Sequence, residues 1–161
     1  MTITFEPLHE SHFPLLLKWL ETGHVKKWWD QNVTYTIDLV REKYSSYIKG
    51  YKLVDGHQRP IQGFIIHNNH NPVGYIQIYN AYDFPRSKPL SNLPVNLGAF
   101  DIFIGAEEAL GQGLCSKEIV KAYEFDKEEF NDVRWFQLDD IPRDKSDPHM
   151  RRFIEKLKGS L

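Results

Sequence analysis

Between Val95 and Phe130 the chain reads strand, glycine-bearing turn, helix: Val95–Gly105 is largely apolar, Leu110-Gly-Gln-Gly-Leu-Cys-Ser-Lys117 follows, and a helical stretch runs on to Phe130. Gly111 and Gly113 carry no Cβ, so the backbone there can come close to a bulky anion. The first free N–H groups of the following helix would point at that anion, with the positive end of the helix dipole behind them. This is a phosphate cradle in outline, and it could hold a phosphorylated ligand without a basic cluster. The same step also serves as a plain turn, so the rest of the chain has to decide between the two readings.

The chain has 161 residues, 41% of them hydrophobic, one domain's worth (1–161). A chain of that size buries roughly 70% of its unfolded surface, enough for a core without metal or disulfide staples. The formal charge is −2 and Lys and Arg are dispersed, which gives no reason to expect a nucleic-acid partner. Cys115 is the only cysteine, and Met1-Thr-Ile-Thr-Phe5 lacks the basic and apolar regions of a signal peptide, so the expected location is the cytoplasm. No apolar run approaches the ~20 residues that cross a bilayer, so no membrane partner is expected.

The element order follows from periodicity. A short strand at Ile3–Pro7 precedes a helix with Ser11 as N-cap and Phe13, Leu16, Leu17 and Leu20 on one face. A second helix starts near Thr36, carries Asp38 in its first turn and Val40, Tyr44, Tyr47 and Ile48 on its apolar face, and ends at Gly50. Ile61–His67 and Val73–Tyr79 read as two strands of a hairpin closed by Asn68–Pro72. From Ala81 to Pro94 runs a proline-broken loop, suited to a lid or binding role or to a floppy insertion. A strand at Ala99–Ile104, the helix after Gly113, a strand at Arg134–Leu138 and a helix from about Pro148 to Lys158 complete a β-α-α-β-β-β-α-β-α order, which is α+β.

The turn at Leu110–Cys115 resembles motif A of the GNAT superfamily of N-acetyltransferases, whose pattern Gln/Arg-x-x-Gly-x-Gly/Ala holds the pyrophosphate of acetyl-CoA; Gly113 matches its central glycine, while Leu110 and Cys115 depart from it. The resemblance spans nearly the whole chain. Trp19-Leu20, His24-Val25, Lys27-Trp28-Trp29, Asn71–Gln77, Phe100-Asp101, Asp139, Arg152 and Glu155-Lys156 fall in the order and near the spacing of aminoglycoside 6'-N-acetyltransferases. It implies a mixed central sheet flanked by helices, here apparently lacking the last two strands, because only Gly159-Ser-Leu161 follows the last helix. The strand at Arg134–Leu138 would then present an open edge, covered by another protomer in a homodimer or by local segments. The resemblance also implies acetyl-CoA as cofactor, held by Leu110, Gly111, Gln112, Gly113, Leu114, Cys115, Ser116 and Lys117, with Met150 and Phe153 packing on it.

Acetyl transfer to an amine needs a proton acceptor, a group that polarises the thioester carbonyl and a proton for the leaving thiolate. Asp101 is the best candidate acceptor, because an ionised side chain inside Phe100–Ile104 is costly unless it meets a cavity or a partner. The other reading has Asp101 facing solvent from the polar side of a half-exposed strand. Within the resemblance, the backbone of Ile102, Phe103 and Ile104 polarises the carbonyl. The family's tyrosine acid falls on Ile154, which cannot donate a proton, so Tyr123 or solvent would serve, or the chain is a non-catalytic CoA-binding domain.

A polycationic acceptor would want carboxylates and aromatic faces, and Trp28, Trp29, Asp30, Tyr79, Tyr82, Asp83 and Asp139 supply both. A primary amine on an aminoglycoside-like small molecule is the expected acceptor, with an N-hydroxylated lysine of siderophore assembly as the alternative. No metal is expected, since His67 and His70 sit on a hairpin turn without matching ligands.

Overall fold

Two tight turns organise the backbone of this computed structural model, which describes residues 2–85 and 97–111. At the first, Asn69 and His70 both take positive φ (48° and 68°), a twist that matches the right-handed twist of the strands it joins. Those strands are β3 (His57–Asn68) and β4 (Asn71–Asn80), paired antiparallel with Ile61 opposite Tyr79 and Ile65 opposite Tyr75. β1 (Ile3–Pro7) pairs with the outer side of β3, and β5 (Gly98–Ile104) with the outer side of β4. The hairpin and the strand at Ile3–Pro7 are therefore as the sequence reading had them.

The second turn was not foreseen. Asp55 and Gly56, at φ 49° and 78°, fold β2 (Tyr51–Val54) back onto the start of β3. β3 accordingly begins at His57, four positions before the expected Ile61, and runs through Pro60. That proline lies beyond the last β3 residue paired with β4, so its missing N–H breaks no ladder bond on that side.

The helices follow from their apolar spacing. α1 (Phe13–Leu20) buries Phe13, Leu16, Trp19 and Leu20; Trp19 goes deeper than the expected Leu17. Its start also differs from expectation. His9, not Ser11, caps a short 3₁₀ turn over Glu10–His12, its ring accepting the Ser11 N–H at 3.4 Å. A short α2 (Gly23–Lys26) intervenes before α3 (Ile37–Ile48), which buries Val40, Tyr44 and Tyr47 and is capped by Thr36 Oγ1 accepting the Leu39 N–H at 3.3 Å.

The helices lie on one face of the sheet. Alternate strand residues Ile61, Ile65, Tyr75 and Phe103 join α1 and α3 there in one core cluster. The other face gathers Ile66, Ile76, Ile78 and Ile104, with Ile3, Phe5, Phe64 and Ile102 packed beside them. A sheet apolar on both faces explains why β4 and β5 read as near-continuous apolar runs and not as clean alternations. After β5, Gly105 abuts the indole of Trp19; a Cβ there would lie 2.1 Å from the ring.

The loop after Tyr79 opens as a 3₁₀ turn over Ala81–Asp83. The expected helix after Gly113, the strand at Arg134–Leu138 with its edge, and the helix from Pro148 to Lys158 lie outside the described residues, as does most of the proline-broken loop.

Candidate active site

The parity of β5 puts Ala99, Asp101 and Phe103 on the helix-covered face and turns Ile102 and Ile104 to the other. Asp101 stands directly across from Gln77 of β4. The Gln77 amide donates to Asp101 Oδ2 at 2.8 Å, and the Tyr75 hydroxyl donates to Gln77 Oε1 at 3.2 Å. A phenol buried in the core thus fixes an amide, and the amide fixes a carboxylate. Because a carboxylate only accepts, the amide turns its NH₂ toward Asp101, which leaves Oε1 to accept from the Tyr75 hydroxyl. Burial, reinforced by Tyr44, Tyr47 and Asp101, drives the Tyr75 pKa far up, so Tyr75 remains a neutral donor. Asp101 is partly buried and hydrogen-bonded, which corrects the reading in which it faces solvent from a polar strand face.

The aromatic pair divides. Trp29 packs edge-on against Phe103 at 4.9 Å and Tyr75 at 6.2 Å between ring centroids. Trp28 is 65% exposed, with the Lys27 ammonium 5.4 Å from its ring centroid. The left-handed backbone of Asp30, φ 45°, ends this segment. Its carboxylate accepts from Lys43 Nζ at 2.5 Å and Tyr35 Oη at 2.6 Å. Burial alone would raise the Asp30 pKa, but the bonds from Lys43 and Tyr35 outweigh it and hold the group below the usual carboxylate range.

Along the same sheet face, Tyr79 meets the edge of Phe84 at 4.7 Å, and the Lys52 ammonium sits 5.7 Å from the Phe84 ring centroid. Tyr82 is largely exposed, and Asp83 pairs with Arg59 at 3.4 Å. Burial pushes the Lys52 pKa down and Lys43 pushes it further, while Asp30 and Asp101 pull it back up. Of the residues singled out from sequence, the fold brings Asp101, Tyr79 and Trp29 to one strip. Trp28 and Tyr82 present exposed faces, and Asp30 and Asp83 are held in internal ion pairs.

Sequence reasoning assigned no role to Tyr75, Gln77, Lys52 or Phe84. Gln77 did carry a signal, as a polar residue within Val73-Gly-Tyr-Ile-Gln-Ile-Tyr79, where an unpartnered amide would be costly.

At the far end of β5, the Ile104 carbonyl accepts from His24 Nε2 at 2.8 Å, which ties α2 to the strand. The Gly105 and Ala106 N–H groups both donate to the Val73 carbonyl, and a 3₁₀ turn over Glu107–Ala109 leads to an exposed Leu110. Gly111 adopts φ 73°, and a Cβ built there would meet no atom of the described residues within 4 Å. Gln112, Gly113, Leu114, Cys115, Ser116, Lys117, Asp139, Met150 and Phe153 lie outside the described residues.

Among the described residues no His, Cys, Asp and Glu side chains gather in a group able to hold a metal ion, and no described helix is long and apolar enough to cross a membrane. His67 instead bonds the His70 carbonyl through Nδ1 at 3.2 Å and pairs with Glu6 through Nε2 at 3.0 Å.

Among the described residues the fold is an α+β domain with helices packed on an antiparallel sheet, followed by a glycine turn. The acetyltransferase (GNAT) domain family matches residues 9–133, and the chain belongs to that family. Among solved structures, the fold is similar to aminoglycoside acetyltransferase AAC(6')-Ib in complex with coenzyme A, at 23% identity and a TM-score of 0.59 over 75% of this chain and 64% of that one. It is likewise similar to AAC(6')-Ib with ribostamycin and coenzyme A, at 22% identity and a TM-score of 0.61 over 76% of this chain and 64% of that one. An uncharacterized protein from Bacillus halodurans, at 19% identity, superposes with a TM-score of 0.55 over 74% of this chain and 56% of that one. The chain spans less than two thirds of the length of these structures. The GNAT resemblance and the α+β class read from sequence agree with these findings.

Proposed function

We propose that the chain transfers the acetyl group of acetyl-CoA to a primary amine, with Asp101 as the group that binds the ammonium and takes up its proton. The observation that carries this reading is the Tyr75–Gln77–Asp101 chain. It engages Oδ2 through Gln77, which leaves Oδ1 free of that bond for an amine and holds the carboxylate in one orientation, as a general base requires. Acetyl-CoA, when bound, supplies the activated acetyl thioester. Gly111, with Gln112, Gly113, Leu114, Cys115, Ser116 and Lys117, would hold its pyrophosphate. The backbone of Ile102, Phe103 and Ile104 would offer N–H groups to the acetyl carbonyl, and Met150 and Phe153 would pack against the cofactor. Once Asp101 has accepted the first ammonium proton, the neutral amine nitrogen would attack the carbonyl carbon; as the C–N bond forms and the C–S bond breaks, the second proton shed by the nitrogen would pass, through solvent, to the departing thiolate.

For the acceptor, an aminoglycoside-like amine is supported by the likeness of the fold to aminoglycoside acetyltransferase structures and by the exposed faces of Trp28 and Tyr82, with Asp139 as a further carboxylate. The pairing of Asp30 with Lys43 and of Asp83 with Arg59 removes two carboxylates from that role and favours a second reading, an acceptor of lower positive charge. The cytoplasmic location expected from the sequence belongs to the same proposal.

The test is acetyl-CoA turnover against a panel of amines, read as free thiol. Thiol release that depends on an amine is expected, and Asp101→Asn should cut kcat on the order of 10²-fold or more while CoA affinity stays within about twofold. Amine-independent thiol release, or no release with any amine, would defeat the reading; wild-type kcat in Asp101→Asn would move the base elsewhere.

A further inference from the structure

Among the described residues, the charges beside Asp101 do not all cancel in pairs. The described cations near this strip are Lys43, Lys52 and Arg59, and the described carboxylates are Asp30, Asp83 and Asp101. Lys43 is paired with Asp30 at 2.5 Å and Arg59 with Asp83 at 3.4 Å. Lys52 and Asp101 are left over, and among the described residues neither has an opposite charge within ion-pairing distance.

The two lie on the same face of the sheet. Lys52 is opposite Arg59 in the β2–β3 register, and alternation along β3 puts Arg59 on the side of Ile61, Ile65 and the helix-facing core. From there a continuous aromatic strip leads across: the Lys52 ammonium over Phe84, Phe84 against Tyr79, and Tyr79 opposite Ala99, two positions from Asp101. Lys52 is partly buried, and the electrostatic influence of Asp101 reaches it without a direct bond. A partly desolvated ammonium held over an aromatic ring, with no counter-charge among the described residues, offers an anion site.

We propose that Lys52 is a specificity determinant that binds a carboxylate on the acceptor, so that the favoured acceptor is an amino acid-like amine whose ammonium sits at Asp101 and whose acid group sits at Lys52. This rests on the acetyl-transfer reading above and narrows its acceptor. A zwitterion satisfies both unpaired charges at once. A polycation satisfies only Asp101 and is repelled by Lys52. In this proposal the aliphatic segment that separates amine from acid would lie along the rings of Tyr79 and Phe84.

The experiment compares n-alkylamines with the ω-amino acids of matching chain length, from β-alanine to ε-aminocaproate, by calorimetry in the presence of CoA and separately by thiol release with acetyl-CoA. At the best chain length the amino acid should bind the wild type about tenfold or more tightly than the alkylamine, the usual scale for a hydrogen bond to a charged group. Lys52→Met should erase that gap, chiefly by raising KM for the amino acid with kcat retained, and Lys52→Arg should keep most of it. Equal binding of amine and amino acid by the wild type overturns the inference without any variant. A gap that survives in a folded Lys52→Met or Lys52→Gln protein overturns it as well. Because binding is read without turnover, a binding gap with no thiol release would sink the acetyl-transfer reading and leave the Lys52 site standing. Thiol release with equal kcat/KM for both series would do the reverse.

Discussion

The two faces of the sheet are built from neighbouring residues of the same strands, yet they do different work. One face carries Ile66, Ile76, Ile78 and Ile104, all aliphatic. The other carries Tyr75, Gln77 and Asp101 as a hydrogen-bonded chain, with the Asp30–Lys43 and Arg59–Asp83 ion pairs around it. One residue of register separates them: Ile76 and Ile102 pair on one side, Gln77 and Asp101 on the other. A one-residue slip between β4 and β5 would exchange the faces of one strand and bury the Asp101 carboxylate among isoleucines. The aliphatic face thus contributes stability and, through it, the register that keeps the polar face assembled.

The sharpest way to break this comparison is to injure the aliphatic face alone. Ile66 is fully buried, opposite Gly74 and Phe5 and remote from the strip. Ile66→Ala should cost about 2–5 kcal/mol of stability, the range for deleting a buried aliphatic side chain. Urea unfolding measures that loss, while kcat per folded molecule should stay within about twofold. A fall in kcat of tenfold or more at a temperature where the protein remains folded would show that the two faces are not separable. The corresponding blow to the polar face is Asp101→Asn, whose 10²-fold effect on turnover corresponds to about 2.7 kcal/mol of transition-state stabilisation.

How much of this was legible in the sequence depended on which periodicity was present. The β3–β4 hairpin, α1 and α3 could be read because their apolar spacing and turn residues agree. β2 could not, because Tyr51–Val54 is four residues long and half polar, although Asp55-Gly56 is itself a hairpin signal. Asp101 could be singled out, but its face could not: Phe100-Asp-Ile-Phe-Ile104 is apolar on both sides, so parity alone could not say which residues meet the helices. The partner of Asp101 is 24 positions away, on a different strand. Lys52 drew no attention because a lysine near a turn ordinarily belongs to solvent; only the register with Arg59 and the ring of Phe84 give it a place in the strip. For Trp28 and Trp29 the polar surroundings of Lys26–Gln31 pointed to one ring packed and one exposed, as found, and only the fold says that Trp29 is the packed one.

A smaller effect sharpens the polar side of the comparison. Gln77→Leu removes the donor to Asp101 and leaves the buried Tyr75 hydroxyl without its acceptor. Stability should fall by about 1–3 kcal/mol, the cost of a stranded buried polar group. Turnover should fall roughly tenfold, as for loss of orientation without loss of the base. A merely structural Gln77 would move only stability. A positioning Gln77 also splits the kinetic constants: its removal should lower kcat while KM for the amine changes little, and restoring the donor as Gln77→Asn should recover part of the loss. A kcat unchanged per folded molecule would reduce Gln77 to a packing residue.

The smallest effect belongs to the ion pair at the edge of the strip, and pH is the probe because the described cluster on the aliphatic face consists of hydrophobic side chains. The Asp30 carboxyl is depressed below its ordinary value, with burial overcome by the bonds from Lys43 and Tyr35. A carboxyl whose folded pKa is lower than its unfolded one contributes stability that is fully present above the unfolded value, about 3.9, and is lost as pH falls through the folded value. At neutral pH, Asp30→Asn should therefore cost on the order of 1 kcal/mol, since both partners are partly exposed and screening limits the pair. From about pH 4 downward the gap between wild type and variant should narrow, and it closes once the pH has fallen below the depressed folded value, where the wild-type carboxyl is protonated too. Ile66→Ala should show no such dependence. Urea unfolding of all three proteins from pH 3 to pH 7 would separate the faces directly: a gap for Asp30→Asn that is flat across that range, or one for Ile66→Ala that narrows in acid, would place the electrostatic contribution outside the Asp30–Lys43–Tyr35 cluster.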